Sequence, residues 1–222
     1  MTPKISTVHQ DDTHRLVPCR HDDDSVLKRL SESAERLEDL FELDSATNDR
    51  LLGEANLLAG ISVHELLFGV PHARIVNAAF CHAHPAGGRF NGPDRGAWYA
   101  AFEAETGRAE VAFHKTLELQ EIDWREPETF AFDDYRADFR SDFHDLRGDA
   151  RFADCLDPIR YDVSRRLASG LLAGGSGGIV YPSVRRTRGT CIVCFRPALV
   201  TNVRKTVTVT MRFKNARLLP EA

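Results

Sequence analysis

The apolar residues of the first seventy positions follow helical spacing, except at the start. Residues 1–24 are rich in His, Asp and Thr with little apolar periodicity, so we interpret them as a flexible lead-in. An amphipathic helix is predicted from Ser25, with Asp24 or Ser25 as its N-cap. Its apolar positions are Val26, Leu27, Leu30, Ala34, Leu37, Leu40 and Phe41. A second helix is predicted from about Thr47 to Leu58, with Gly60 as its stop.

A third, short helix is predicted from the run Ser62-Val63-His64-Glu65. A serine followed three residues later by a glutamate has the spacing of a capping box. The helix is expected to run through Leu67, with Gly69 and Pro71 closing it. The chain therefore begins with a lead-in, 1–24, and a helical extension, 25–69.

Past Pro71 the pattern changes to short apolar runs separated by polar turns, which predicts a new domain over residues 70–215. Its helices are predicted at Ala109–Leu119 and Tyr161–Ala173, the second ended by a glycine cluster. Its strands are predicted at Ala73–Phe80, Ala97–Ala101, Phe130–Phe139, Ile179–Ser183, Cys191–Phe195 and Val207–Phe213. Strands and helices in this irregular order predict an α+β fold.

Composition is typical of a soluble globular protein. Of the 222 residues, 42% are hydrophobic and 28% are charged, which argues against global disorder and allows one large domain. A net charge of −4 gives no general attraction to nucleic acid or to an anionic membrane surface. No apolar run reaches membrane-helix length and the polar start lacks the pattern of a signal peptide, so a cytoplasmic location is expected.

The turn Gly87-Gly88-Arg89-Phe90-Asn91 is the first candidate for chemistry. Glycines allow close approach of backbone to a ligand, and arginine offers a planar fork of donors that suits a diphosphate. The alternative is a surface hairpin with a solvated arginine. Arg74, in the apolar stretch Ala73-Arg74-Ile75-Val76, either reaches a pocket or lies on an outward strand face.

Glu110 and Ser183 are the second pair of candidates. Glu110 shares a predicted helix face with His114, four residues on, and a carboxylate there can stabilise positive charge developing on a sugar. A solvated helix residue is the alternative. Ser183 follows Tyr181-Pro182 at a strand end, where its hydroxyl can contact a ligand or cap a turn. No Gly-x-Ser-x-Gly elbow surrounds it, so a serine nucleophile is not predicted.

Metal and nucleotide-binding motifs are not predicted. The five cysteines are irregularly spaced, so a disulfide framework is not expected. Cys191 and Cys194 lie in an apolar strand without a matching second pair, and with Cys81, His82 and His84 they are interpreted as ordinary residues rather than zinc ligands. The glycine-rich segment 174–178 lacks the lysine and serine or threonine of a P-loop, and no Rossmann fingerprint is present.

Taken in order, several of these fragments resemble the RES-domain family, which is named for an arginine, a glutamate and a serine. The resemblance spans roughly Val70 to Val200. It rests on Arg74, Gly87-Gly88-Arg89-Phe90-Asn91, Trp98-Tyr99-Ala100-Ala101, Ala109-Glu110-Val111-Ala112-Phe113-His114 and Gly178-Ile179-Val180-Tyr181-Pro182-Ser183-Val184-Arg185.

The resemblance implies a compact fold similar to ADP-ribosyltransferase toxins and an activity that depletes NAD⁺ by phosphorolysis or hydrolysis. Family members are commonly toxins neutralised by a helix-turn-helix antitoxin. NAD⁺ is then the substrate, phosphate a possible co-substrate, and no cofactor is required.

The resemblance also assigns roles to residues of this chain. It implies that Arg74 and Arg89 hold the diphosphate or incoming phosphate, with Phe90 and Asn91 in the same substrate-binding turn. Tyr99 is expected to pack against the nicotinamide end, Glu110 to support the ribose cation and Ser183 to hydrogen-bond the ligand.

Two features depart from the family pattern, and two other functions stay open. The helical stretch before Val70 is absent from many shorter members, and Phe90 stands where tryptophan is frequent. The extension could mask the site, mediate self-association or bind a partner. A protein ADP-ribosyltransferase on the same scaffold is one alternative function, and a non-catalytic module that uses the N-terminal helices is the other.

Overall fold

The computed structural model describes residues 1–19, 60–214 and 217–220. The two helices predicted between Ser25 and Leu58 lie outside these residues. The strands are β1 (Lys4–Pro18), β2 (Trp98–Ala101), β3 (Glu128–Asp145), β4 (Gly178–Pro182), β5 (Thr190–Cys194), β6 (Thr201–Lys214) and β7 (Arg217–Pro220). The α-helices are α1 (Ala73–Cys81), α2 (Ala104–Glu121) and α3 (Asp162–Ala173), with 3-10 helices at Val63–Glu65, Ala150–Leu156 and Pro197–Leu199.

The strands form one mixed sheet that closes on itself. Their order is β1-β2-β5-β4-β3-β6-β7, and β1 also pairs with β3. The run from β1 through β2, β5, β4 and β3 thus forms a ring of five strands, and β6 and β7 extend the sheet from β3. Among the strands of the described residues, only β3 and β4 pair in parallel. Helices outside this sheet complete the predicted α+β fold.

The interpretation of residues 1–24 as a flexible lead-in is wrong for residues 4–18. This segment is β1, paired antiparallel with β3 from Lys4↔Asp145 to Pro18↔Phe132. Val8 and Thr13 are buried, at 5% and 0% exposure, while most other side chains of β1 keep contact with solvent. A strand that buries so few apolar residues leaves little hydrophobic periodicity in the sequence, and its pairing with β3 supplies the missing stability.

The predicted strand Ala73–Phe80 is also wrong, because these residues form α1. The buried residues of the segment are Ala73, Val76, Asn77 and Phe80, whose spacing of three and four is that of a helix face. The β-branched pair Ile75-Val76 favoured a strand locally. Packing of this face into the core decides for the helix.

The other predicted elements of the domain are confirmed within a few residues. The helix predicted at Ala109–Leu119 begins earlier, at Ala104, and the strand predicted at Phe130–Phe139 extends to Asp145. The predicted capping box is present: the Ser62 side chain accepts from a backbone N–H of the turn, and Glu65 accepts from the Ser62 N–H. The helix it opens is a single 3-10 turn, Val63–Glu65, which ends before the predicted Leu67.

The core lies on both sides of β4 and β5. On one side Val180 and Ile192 pack with Phe80 of α1, and on the other Ile179 and Val193 pack with Leu171 of α3. Cys191 and Cys194 point to opposite sides of the sheet, and both are free, buried thiols. Within the described part of the chain, no helix is long and apolar enough to cross a membrane.

Candidate active site

The glycine-rich turn is held in a shape that only small residues allow. Gly87 has a φ of +68°, in the left-handed region that favours glycine. A Cβ on Gly88 would lie 2.4 Å from Asn91 Oδ1 and 2.8 Å from the Tyr99 hydroxyl oxygen. The Gly88 N–H donates to the Asn91 carbonyl, 3.0 Å away. The turn therefore presents Arg89 from a closely packed backbone, as its sequence predicts.

Arg89 is buried, with 8% of its surface exposed, and its charge is directed into the protein. Its guanidinium donates to the Asp157 carbonyl at 2.6 Å and to the Cys155 carbonyl at 3.3 Å. The Tyr161 ring lies against it, 4.5 Å from Cζ to the ring centroid. The Ser164 hydroxyl donates to the Arg89 carbonyl at 2.6 Å. The alternative of a solvated surface arginine is excluded.

Tyr99 fastens the same turn from β2. Its hydroxyl donates to Asn91 Oδ1 at 2.8 Å and accepts from the Phe90 N–H at 2.9 Å. Burial raises the pKa of Tyr99, so its hydroxyl stays protonated and keeps its donor role. The Asn91 amide in turn donates to the Gly92 and Arg95 carbonyls. Asn91 and Tyr99 are thus joined directly.

Phe90 lies in the core instead of at the substrate-binding surface predicted for it. It is 1% exposed and packs edge-on against Tyr181, with ring centroids 4.8 Å apart. A side chain this deeply buried supports the turn and offers no surface to a ligand.

Glu110 and Ser183 meet, although they are far apart in sequence. The Ser183 hydroxyl donates to Glu110 Oε1 at 2.6 Å, and the Cys191 thiol lies 3.7 Å from the same oxygen. Burial, followed by the charge of Glu110, raises the pKa of Cys191, so it remains a neutral thiol. Both contacts use Oε1 of a half-buried carboxylate. Glu110 Oε2 has no hydrogen-bond partner among the described residues, and this leaves an acceptor for a ligand.

Ser183 also organises the loop that follows β4. Its Oγ accepts from the backbone N–H groups of Arg185 and Arg186, each at 3.1 Å, and its own N–H donates to the Gly189 carbonyl. Ser183 therefore caps a turn, as one alternative predicts, and its hydroxyl is fixed beside Glu110, while its contact with a ligand stays a prediction.

Arg185 lies near Ser183, and the sequence analysis did not single it out. Its guanidinium stacks on Phe113, 3.3 Å from Cζ to the ring centroid, and donates to the Tyr161 hydroxyl at 3.4 Å and to the Pro158 carbonyl. Phe113 is three residues after Glu110, so both lie on one side of α2. Tyr161 thereby contacts both Arg89 and Arg185.

Arg165 is a second arginine that was missed, and it braces the turn. From α3 its Nε donates to the Gly88 carbonyl at 2.8 Å and its guanidinium donates to the Ala86 carbonyl at 2.5 Å. Its guanidinium also lies 5.7 Å from the Tyr161 ring centroid. The spacing Tyr161-x-x-x-Arg165 on a predicted helix was the available signal, because residues four apart share a face.

His114 reports the electrostatic field of the cluster. Burial lowers the pKa of His114, and the positive charges of Arg185 and Arg89 lower it further, while Glu110 acts in the opposite direction. These groups therefore lie close enough to influence one ring, and His114 is neutral at pH 7. We call Arg89, Tyr99, Glu110, Tyr161, Ser183 and Arg185 the arginine–glutamate cluster.

Arg74 lies on a helix, whereas the sequence predicted a strand for this segment. It is half-buried on α1, next to Ala73, instead of on a strand. It has interactions of its own, and its predicted role in holding a phosphate stays a prediction. Arg15 of β1 is the arginine that contacts the backbone of Tyr99, donating to its carbonyl at 3.1 Å and stacking on Trp98 at 4.8 Å. Burial lowers the pKa of Arg15 to about 10.

None of the curated proteins matches the chain. Among solved structures, the toxin–antitoxin complex MbcT–MbcA of M. tuberculosis is similar at 15% identity, with a TM-score of 0.44, covering 62% of this chain and 75% of that chain. The RES domain model matches residues 66–214, which is more than half of the sequence and includes the turn, Glu110 and Ser183. The chain belongs to the RES-domain family.

Proposed function

We propose that this protein cleaves NAD⁺ at the bond between nicotinamide and ribose, with phosphate or water as the acceptor. Family membership supports NAD⁺ as the substrate. The contact that carries the proposal is the 2.6 Å hydrogen bond that holds Glu110 Oε1 to Ser183. It fixes a carboxylate in one orientation next to the loop that carries Arg185, and a carboxylate together with arginines suits a substrate with a cationic centre and an anionic diphosphate.

The chemistry asks little of the protein beyond positioning and charge. As the C1–N bond breaks, its electron pair goes to the pyridinium nitrogen and nicotinamide leaves as a neutral molecule. The ribose carbon gains positive charge, which the Glu110 carboxylate stabilises through space. An oxygen of phosphate then bonds to C1 and gives ADP-ribose-1″-phosphate, or water adds and releases a proton to solvent. No metal participates in these steps.

Tyr99, Asn91 and Arg165 have a positioning role in this proposal. They fix the glycine-rich turn from β2 and α3, so that Arg89 is presented in one place. Misplacement of a positioned group by about 1 Å can cost 10²-fold in rate, so such bracing contributes to turnover without contact with substrate.

The biological role we propose is that of a toxin of a toxin–antitoxin pair, acting in the cytoplasm, with a helix-turn-helix antitoxin as its partner. Depletion of NAD⁺ is expected to be toxic because many reactions of the cell use the dinucleotide. Removal of cellular NAD⁺ on expression, prevented by Glu110→Gln, is the result expected in cells.

Purified protein incubated with NAD⁺, with and without inorganic phosphate, tests the reaction. Free nicotinamide together with ADP-ribose-1″-phosphate, formed only with phosphate, indicates phosphorolysis; ADP-ribose formed in both conditions indicates hydrolysis. Label from NAD⁺ retained on protein indicates transfer to a side chain. Intact NAD⁺ in every condition, also after separation of the protein from any co-purifying partner, contradicts the proposal.

A further inference from the structure

Three arginines surround the Tyr161 ring without a carboxylate to balance them. Arg89 and Arg165 lie over the ring, and Arg185 contacts its hydroxyl. Among the residues that the structure describes, no carboxylate oxygen lies within ion-pair distance of any of the three, whereas an arginine such as Arg147 pairs with a neighbouring aspartate at 2.9 Å. Clustered positive charge without a counter-charge favours the binding of an anion.

The three arginines differ in how far their donors are used. Arg165 donates from Nε and from one terminal guanidinium nitrogen to carbonyls of the glycine-rich turn, so it holds this turn in place. Arg89 uses one nitrogen for two carbonyls. Arg185 uses one terminal nitrogen for the Pro158 carbonyl and the Tyr161 hydroxyl, while its Nε is buried without any hydrogen-bond partner. An unpartnered buried donor on a charged group is costly unless a ligand satisfies it.

Arg185 is also tied to the reacting end of the site. Its backbone N–H donates to Ser183 Oγ, the atom that donates to Glu110, and its guanidinium stacks on Phe113 one turn beyond Glu110. Stacking on an aromatic ring restricts a guanidinium to one plane and leaves its edge to bind a planar or tetrahedral oxyanion. The loop after β4 therefore holds an oriented cation on the side of α2 that carries Glu110.

We propose that Arg185 is a further substrate-binding residue, which binds a phosphate group together with Arg89; Arg89 lies over the Tyr161 ring and Arg185 contacts its hydroxyl. The inference rests on the proposed function for its choice of anion. A charge-assisted hydrogen bond to phosphate is stronger than one to a neutral carbonyl, so a phosphate oxygen competes well with the Pro158 carbonyl. The phosphate belongs either to the diphosphate of the dinucleotide or to the inorganic phosphate that attacks the ribose.

The test compares the wild-type protein with Arg185→Gln and with the matched control Arg188→Gln. Arg188 is exposed on the same loop and equals Arg185 in formal charge. KM and kcat are measured for NAD⁺ at fixed phosphate, and for phosphate at fixed NAD⁺. Arg185→Gln is expected to raise one KM by about tenfold or more, because it removes hydrogen bonds to a charged group. Arg188→Gln is expected to change neither KM.

Which KM rises identifies the source of the phosphate. A higher KM for NAD⁺ assigns Arg185 to the diphosphate, and a higher KM for phosphate assigns it to the acceptor. Unchanged KM values, with or without a fall in kcat, overturn the proposal, because Arg185 then acts only through the loop and Ser183. If Arg185→Gln does not fold, Arg185→Lys replaces it in the test. This variant keeps the charge, so it is expected to fold and to retain part of the wild-type affinity.

Calorimetry with ADP-ribose and with inorganic phosphate separates this inference from the proposed reaction. If the wild-type protein does not consume NAD⁺, the proposed function fails. Binding of either anion by the wild-type protein and by Arg188→Gln, but about tenfold weaker binding by Arg185→Gln, still supports Arg185 as a phosphate-binding residue. Equal binding by all three proteins, or no binding by any of them, overturns it.

Discussion

The Ser183 hydroxyl donates to Glu110 Oε1 across 73 residues of sequence, and this bond joins the loop after β4 to the middle of α2. It leaves the second carboxylate oxygen for a ligand and fixes the plane in which that oxygen lies. Each of the following predictions changes one part of this arrangement or of the fold that carries it.

Replacement of Glu110 by glutamine is expected to lower the rate of nicotinamide release by 10²-fold or more, because a preorganised charge at the developing cation is lost. The glutamine carbonyl can still accept from Ser183, so the fold should be unchanged. Nicotinamide release and thermal melting measure the two effects. Glu121→Gln, at the exposed end of the same helix, should behave as wild type. Turnover at the wild-type rate by Glu110→Gln would remove the carboxylate from the mechanism.

Ser183→Ala is expected to slow turnover by roughly 10- to 100-fold, because the carboxylate loses its fixed orientation and two backbone N–H groups lose their acceptor. The double variant Glu110→Gln/Ser183→Ala should be little slower than Glu110→Gln alone, since the two residues act as a unit. Initial rates of all four proteins form the cycle. Losses that simply multiply would mean that serine and glutamate act independently.

Gly88→Ala should lower activity by at least about tenfold, since a methyl group would collide with Asn91 Oδ1 and the Tyr99 hydroxyl and displace Arg89. Gly92→Ala is the matched control, because a Cβ at Gly92 meets nothing within 4 Å. Activity and melting temperature are compared for the two variants. Similar activities would show that the shape of the turn does not matter for the reaction.

The ion pair between Glu65 and Arg95 is expected to contribute to stability in a pH-dependent way. Arg95 binds both Glu65 oxygens, at 2.9 and 2.7 Å, and this hydrogen bonding lowers the pKa of Glu65 below its ordinary 4.5. A carboxylate whose pKa is lowered on folding stabilises the fold above its unfolded pKa and loses that effect as the pH falls through the folded pKa. Glu65→Gln should cost about 1–3 kcal/mol at pH 7.

The difference between wild type and Glu65→Gln should shrink as the pH falls below 4.5. Urea unfolding at neutral pH and at several acidic values measures it. Glu118→Gln, which removes an exposed ion pair with Lys115, should cost less than about 1 kcal/mol at all of these values. A constant difference between wild type and Glu65→Gln down to low pH would contradict the predicted linkage.

Two residues of β1 test whether this strand is part of the core. Val8 is 5% exposed and Ile5 is 62% exposed on the same strand. Val8→Ala is expected to lower the free energy of unfolding by about 1–3 kcal/mol, and Ile5→Ala by about 0.5 kcal/mol or less. Chemical denaturation of both variants gives the comparison. Equal, small effects would mean that the start of the chain is not packed as described.

Sequence reasoning identified the glycine-rich turn, Glu110 and Ser183 because they belong to motifs that occur in the order typical of the family. The position of Glu110 on a helix and of Ser183 at a strand end follows from local periodicity. It also predicted the central strands β4 and β5, whose residues are apolar on both faces. Local patterns sufficed wherever an element buries a continuous apolar face.

The failures have a common physical cause, namely that long-range contacts decided the outcome. β1 is stabilised by pairing with a strand more than 110 residues away, which no local window contains. Sequence reasoning missed Arg185 and Tyr161 because their hydrogen bond forms only when the loop that follows β4 packs against the start of α3. Phe90 was assigned to the ligand surface because it belongs to the turn predicted to bind substrate, while its ring turns inward to Tyr181.

The ring of strands has a consequence for synthesis of the chain. β1 ends at Pro18, whereas its partner β3 ends at Asp145. At ordinary elongation rates of about 5–20 residues per second, β1 waits on the order of ten seconds for that partner. Closing so long a loop is slow, and Ser183 is made later still. The hydrogen bond between Ser183 and Glu110 therefore forms only after both β1 and β3 have been synthesised.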